Sequence, residues 1–260
     1  MNHATRVGFL KGAAAAGAGA VRLGAPAPCA APGANARRAS AGLTTSDLAI
    51  LDAAEIAEAL AVTTYTNIIN RAPFFRGLPS EDQGYLKAAR EEEMSHYLLE
   101  QRLTGKPSAY TTFYYPAGMF ADAQTTLNTL VTLENAVIAA YLIRVRDFSI
   151  AGLRVTAARI MGIESGHRTL ASVLGPDVAA TYGGPINTIT GIQKTAEPAA
   201  PPNNNGYERT LLTNISQVVA ALLPFVDVTA AGKADFDTTK GYKFVPFSPK
   251  LASERARSTR

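Results

Sequence analysis

Apolar positions recur at steps of three and four along four long stretches, and each stretch carries acidic residues inside its apolar stripe. In the first, Leu51, Glu55, Glu58, Val62, Tyr65 and Ile69 share one helical face. This predicts a helix opening at Ser46, with Asp47 in its first turn, and closing at Arg71-Ala72-Pro73. The second stretch places Leu86, Ala89, Glu93, His96, Glu100 and Leu103 together. Its helix is predicted to open at Ser80, with Gln83 completing a capping box, and to stop at Gly105 and Pro107. The third runs from about Asp122 to Phe148 with Leu127, Leu130, Glu134, Val137 and Tyr141 on its stripe. The fourth aligns Ile160, Glu164, His167, Ala171 and Leu174 and is expected to close at Gly175-Pro176.

The short turn at Ser149-Ile150-Ala151-Gly152 makes the third and fourth helices antiparallel neighbours. Residues 104–121 form a long connection carrying Tyr110, Phe113, Tyr114, Tyr115 and Phe120. A loop of this length and apolar content must pack against something, and a crossover along a bundle provides the surface. The fold class is therefore all-α: a four-helix bundle of two antiparallel hairpins joined by a long crossover. Residues 177–209 read as loop, residues 211–225 as a fifth helix with Pro224 near its end, and residues from Asp227 onward show no clear period. The stretch from Arg255 to Arg260 reads as a frayed tail. The resulting division is a leader over 1–44, the bundle over 45–175 and a C-terminal extension over 176–260.

Composition changes this picture at the ends. The net charge is +4, but residues 1–44 hold five basic residues and no acid, and the tail from Lys250 adds four more against Glu254. The body between them is slightly acidic, so the basic balance belongs to the ends and makes no case for nucleic-acid binding; no nucleic-acid partner is expected. Thr5-Arg6-Val7-Gly8-Phe9-Leu10-Lys11 resembles a twin-arginine export signal, with Val7 where the second arginine belongs, so both Tat and Sec routes stay open. An Ala/Gly run over Gly12–Val21 follows, too short and small to span a bilayer, and Ala34-Asn35-Ala36 offers a cleavage site. Export to the periplasm or outside the cell is the expectation. No membrane span is expected in the mature chain. Cys29 is the one cysteine, so no disulfide can form within the chain, and Pro26 and Pro28 argue against its lipidation.

The chemistry sits in the acids of the stripes. An ionised carboxylate on a buried face is costly unless it is paired or binds metal. Besides His3 in the leader, the histidines are His96 and His167, and each stands three residues after a glutamate. A Glu and a His at i and i+3 project the same way and can grip one ion. Among Glu91-Glu92-Glu93, residues about 100° apart on a helix, Glu93 shares the face of His96; Glu92 is the reserve candidate and Glu91 is expected to be solvated. The interval from Glu58 to Glu134 nearly equals that from Glu93 to Glu164, so the two hairpins repeat one plan. A lone Glu from each of two helices and a Glu-x-x-His from each of the others is the ligand pattern of a di-metal carboxylate centre in a bundle core. The predicted metal set is Glu58, Glu93, His96, Glu134, Glu164 and His167, with Glu93 and Glu164 bridging and Glu58 and Glu134 terminal. Oxygen and nitrogen ligands without cysteine suit two iron ions, or manganese, better than structural zinc. Tyr65 and Tyr141 are read first as core tyrosines with satisfied hydroxyls; support of the ligands or redox chemistry is the alternative. Glu55 reads as a carboxylate behind the ligands or at a cavity rim. Arg159 and Arg168 read as solvated.

At these residues the chain resembles the ferritin-like superfamily, and within it the group called desiccation-related or ferritin-like-domain proteins. The matching segments run from Ile50 through Glu58 to Tyr65, Glu93 to His96, Leu133 through Tyr141, and Glu164 to His167, with Tyr207 to Val226 similar to a C-terminal helix of that group. The resemblance implies a di-iron or di-manganese protein that reacts with O2 or peroxide, in the manner of a ferroxidase or a peroxide-removing oxidoreductase. The second reading is a non-enzymatic bundle protective under stress or drying, with the metal as a staple. A cage-forming storage protein is a third, disfavoured by the long loop and the extension; a homo-oligomer of another kind fits either of the first two. The superfamily's rubredoxin-type cysteine cluster is missing from this sequence.

Overall fold

The computed structural model describes residues 42–182, 212–227, 229 and 235–250. The leader and its export and cleavage motifs up to residue 41, most of the loop read over 177–209, and the tail beyond Lys250 lie outside these residues. Four long helices, α1 (Thr45–Arg71), α2 (Ser80–Thr104), α3 (Ala123–Asp147) and α4 (Ala151–Tyr182), make the bundle, and α5 (Ile215–Val226) packs on its side. The all-α bundle of two hairpins is thus the fold: α1 packs chiefly on α2 and α3 chiefly on α4.

The helix ends differ from the sequence reading in instructive ways. The N-cap of α1 is Thr44, not Ser46, because Asp47 falls at the third helical position and closes a reciprocal capping box with Thr44. Asp47 N donates to Thr44 Oγ1 at 3.0 Å and Thr44 N donates to Asp47 Oδ2 at 2.9 Å. The capping box expected at Ser80 and Gln83 does not form. Ser80 is already helical, Pro79 holds the cap position, and Gln83 Nε2 donates to the carbonyl of Leu78 at 2.9 Å. Gly105 closes α2 with φ of 74°, the left-handed conformation that favours glycine. Helix α4 continues past Gly175-Pro176 to Tyr182. A proline removes one intrahelical hydrogen bond, a loss the helix absorbs here as it does at Pro224 inside α5.

The crossover between α2 and α3 packs as its aromatics require. Residues Thr112–Phe113 form a short strand, β1, antiparallel to β2 (Tyr242–Lys243), with Phe113 opposite Tyr242. Tyr114 N donates to the carbonyl of Phe225 at 2.9 Å, tying the crossover to α5. Tyr115 is buried and meets Phe120, Phe225 and Tyr242 edge to face. Gly241 permits the approach: a Cβ there would lie 2.6 Å from Thr112 Cγ2. The C-terminal segment, aperiodic in sequence, is therefore ordered by aromatic contacts and a strand pair rather than by a repeat.

Apolar side chains fall into clusters at the two ends of the bundle. One holds Leu60, Ile68, Phe74, Leu86, Met94, Leu130 and Leu174; the other holds Ile50, Leu51, Val137, Phe148, Leu153 and Ile160. The acids of the four stripes lie between them. One described helix, Ala123–Asp147, is long and apolar enough to cross a membrane, and it is largely buried inside the bundle.

Candidate metal centre

Helix α1 buries Glu58 and Tyr65, seven residues apart, and α3 buries Glu134 and Tyr141 at the same spacing. The tyrosines cross between hairpins. Tyr65 donates its hydroxyl proton to Glu134 Oε1 at 2.6 Å, and Tyr141 donates to Glu58 Oε1. Each lone glutamate is thereby oriented by the tyrosine of the opposite hairpin, which explains a spacing whose partner the sequence did not reveal.

Helices α2 and α4 bring the two Glu-x-x-His pairs to the same place. His96 Nδ1 lies 3.0 Å from Glu164, 3.5 Å from Glu93 and 3.6 Å from Glu58. His167 Nδ1 lies 2.9 Å from Glu93 and 3.2 Å from Glu164. Two groups result, Glu58–Glu93–His96–Glu164 and Glu93–Glu134–Glu164–His167, in each of which one ligand atom per residue lies within 4.8 Å of all the others. Glu93 and Glu164 belong to both groups; Glu58 and Glu134 belong to one each. All six residues named from the sequence are buried and meet between the apolar clusters.

The donor set fits divalent cations. Glu58 Oε2, both oxygens of Glu93, Glu164 Oε1 and His96 Nδ1 are buried without a hydrogen-bond partner. Leaving so many buried polar atoms without hydrogen bonds is costly, and cations among them would remove that cost. The electrostatics say the same. Burial pushes Glu58 and Glu134 well above the usual carboxylate range, and the charge of Glu93 pushes them further. Burial also acts to raise Glu93, but the attraction of His167, with both imidazoles beside its carboxylate, holds it well below that range. Burial alone would lower both histidines; the surrounding carboxylates instead raise them well above the ordinary imidazole value. The cluster neutralises itself through imidazolium–carboxylate pairs, and a cation bound among them would displace those protons. Burial first, then neighbouring carboxylates, keeps Tyr65 and Tyr141 protonated as donors. The arrangement is compatible with a di-metal site.

The other candidates lie around the two groups. Glu55 is buried but outside both groups; its Oε2 accepts from Thr104 Oγ1 at 3.1 Å. Glu91 is not solvated: it pairs with Arg90 at 2.8 Å and accepts from the backbone N of Lys250 at 2.9 Å, where the C-terminal segment passes α2. Glu92 is in neither group, and its Oε2 lies 2.9 Å from His167 Nε2. Arg168 is half-buried and donates to Asn135 Oδ1 at 3.0 Å, whereas Arg159 is exposed.

Sequence reasoning missed Arg144 and gave Glu100 no role. Both are buried behind Tyr141: Glu100 Oε1 lies 3.1 Å from the Tyr141 hydroxyl oxygen and accepts from Arg144 Nη1 at 3.3 Å. The signal was present, since Glu100 stands four residues after His96 and Arg144 three after Tyr141, each on a face already assigned to the core.

A family model described as a ferritin-like domain matches residues 44–174. No curated protein and no solved structure matches the chain.

Proposed function

Because the chain belongs to the ferritin-like domain family, we propose that the buried cluster holds two iron or manganese ions and that the protein reacts with O2 or peroxide as an exported oxidoreductase. The observation that carries this reading is the convergence of six buried acidic and imidazole side chains from four helices into two overlapping groups. Glu93 and Glu164, shared by both groups, would bridge the ions. Glu58 with His96, and Glu134 with His167, would complete the two ends.

When bound, a reduced pair of such ions supplies two electrons to an oxidant. The chain's own residues do the rest. Tyr65 and Tyr141 fix the terminal carboxylates by hydrogen bonds. The apolar clusters on either side keep bulk water from the acids. The imidazoles hold the metal-facing nitrogen, Nδ1, toward the shared glutamates. Placement in the desiccation-related group and export rest on the matched segments and the basic leader read from the sequence.

Anaerobic loading of the metal-free protein with Fe2+, followed by stopped-flow mixing with O2 or peroxide, tests the reading. A rapid near-ultraviolet absorbance rise is expected, lost in Glu93→Gln. A loaded protein that shows no change holds metal as a structural staple, which overturns the redox assignment.

A further inference from the structure

We infer that the two halves of the centre are inequivalent, and that the half built on His167 takes its divalent cation first because Glu92 anchors that imidazole from behind. The inference rests on the metal reading above. The imidazole of His167 is held on two sides: Glu92 Oε2 lies 2.9 Å from Nε2, and the Tyr65 ring meets it edge to face with centroids 5.7 Å apart. With the Nε2 proton donated to Glu92, Nδ1 is left facing Glu93 and Glu164, 2.9 Å and 3.2 Å away, where its proton is the one a cation would displace. A carboxylate behind a ligating histidine fixes its tautomer and orientation and raises its basicity.

Among the described residues the other half has no such device. The two hairpins repeat one plan, and Glu92 stands immediately before Glu93. The matching position before Glu164 is Ile163, an alkyl side chain 39% exposed. Among the described residues no carboxylate accepts a hydrogen bond from His96 Nε2. Glu92 is a positioning residue: it acts through His167 and lies in neither ligand group.

Titrating the metal-free full chain with Mn2+, followed by calorimetry and electron paramagnetic resonance, reads both steps. The wild type is expected to bind in two separated steps, the first at least about tenfold tighter, since loss of such an outer partner costs 10- to 100-fold in affinity. At one equivalent its spectrum should show isolated ions without the signal of a coupled pair. Glu92→Gln keeps shape and folds at a partly exposed position; it should weaken the first step about tenfold or more, bring the steps together, and show coupled pairs already at one equivalent. Two equal steps in the wild type, or an unchanged first step in Glu92→Gln, overturns the inference while leaving the metal centre standing. No Mn2+ binding in the wild type overturns the metal reading itself.

Discussion

Arg144 is buried among acids, and two neighbours make its charge tolerable. Its guanidinium carbon lies 4.2 Å from the Tyr141 ring centroid and its Nη1 donates to Glu100. Burial pushes Glu100 up to about 7 in spite of Arg144 and the Tyr141 hydroxyl. Removing one partner of such a pair strands the other, so Arg144→Met should destabilise the metal-free protein by about 3–5 kcal/mol in urea unfolding. Adding Glu100→Leu should recover most of that loss, because no charge remains buried. A single variant within about 1 kcal/mol of the wild type would contradict the pairing. Glu55 gives a pH test. Burial, opposed by the Thr104 hydrogen bond and aided by the charges of Glu100 and Asp52, pushes it up to about 8 from an ordinary 4.5. The folded state thus holds a proton that the unfolded chain releases. The stability is intact below 4.5, declines as pH rises, and is lost once pH passes about 8. Glu55→Gln should gain about 2–4 °C in Tm at pH 9, about 1 kcal/mol for this size of chain, and converge with the wild type near pH 5. An equal gain at both pH values would show that ionisation is not the cause. The six converging acidic and imidazole residues were legible because each breaks an apolar stripe. The hydroxyl partners of Tyr65 and Tyr141 were not, because they lie on the opposite hairpin and no local spacing encodes that contact.

At the scale of elements, Asp47 joins two helix ends. It completes the box with Thr44 and also accepts from the backbone N of Ser149 at 2.9 Å, in the turn between α3 and α4. Burial would raise its carboxyl, but the hydrogen bonds from Ser149 and Thr44 hold it below the usual range. Thr44→Ala should cost about 1 kcal/mol, an ordinary cap. Asp47→Ala should cost about 2–3 kcal/mol, because it also leaves donors of the second turn unmet. Denaturant midpoints at neutral pH compare them directly; equal losses would mean that the link to Ser149 contributes nothing. Periodicity found the helices, since stripes of three and four are local. It misplaced their ends where tertiary partners decide. Ser46 was as good a cap as Thr44 until Asp47 found both Thr44 and Ser149. The breaker at Gly175-Pro176 did not break, since one lost hydrogen bond is small against a long helix.

For the whole molecule, the bundle is two hairpins whose shared midpoint is also their costliest region. Apolar clusters hold its ends, and crossed tyrosines and shared glutamates hold its middle. Metal should therefore act on the stability of the entire fold. At about a hundredfold excess over the dissociation constant it should add about 2.7 kcal/mol. That corresponds to a Tm rise of about 5–10 °C, reversed by a chelator, in differential scanning calorimetry. A Tm indifferent to metal would separate the cluster from the folding equilibrium. The C-terminal segment was illegible in sequence for a reason at this scale: its order comes from Tyr242 and Phe244 meeting Tyr115 and Tyr97, over a hundred residues away, with no period of its own. The claim on which the account depends is that the six converging side chains hold a pair of ions. Elemental analysis of the protein, after reconstitution with iron or manganese and removal of excess, tests it most directly. The account predicts about two ions per chain, falling sharply in Glu93→Ala and Glu164→Ala. Fewer than about one ion per chain in the wild type would contradict it.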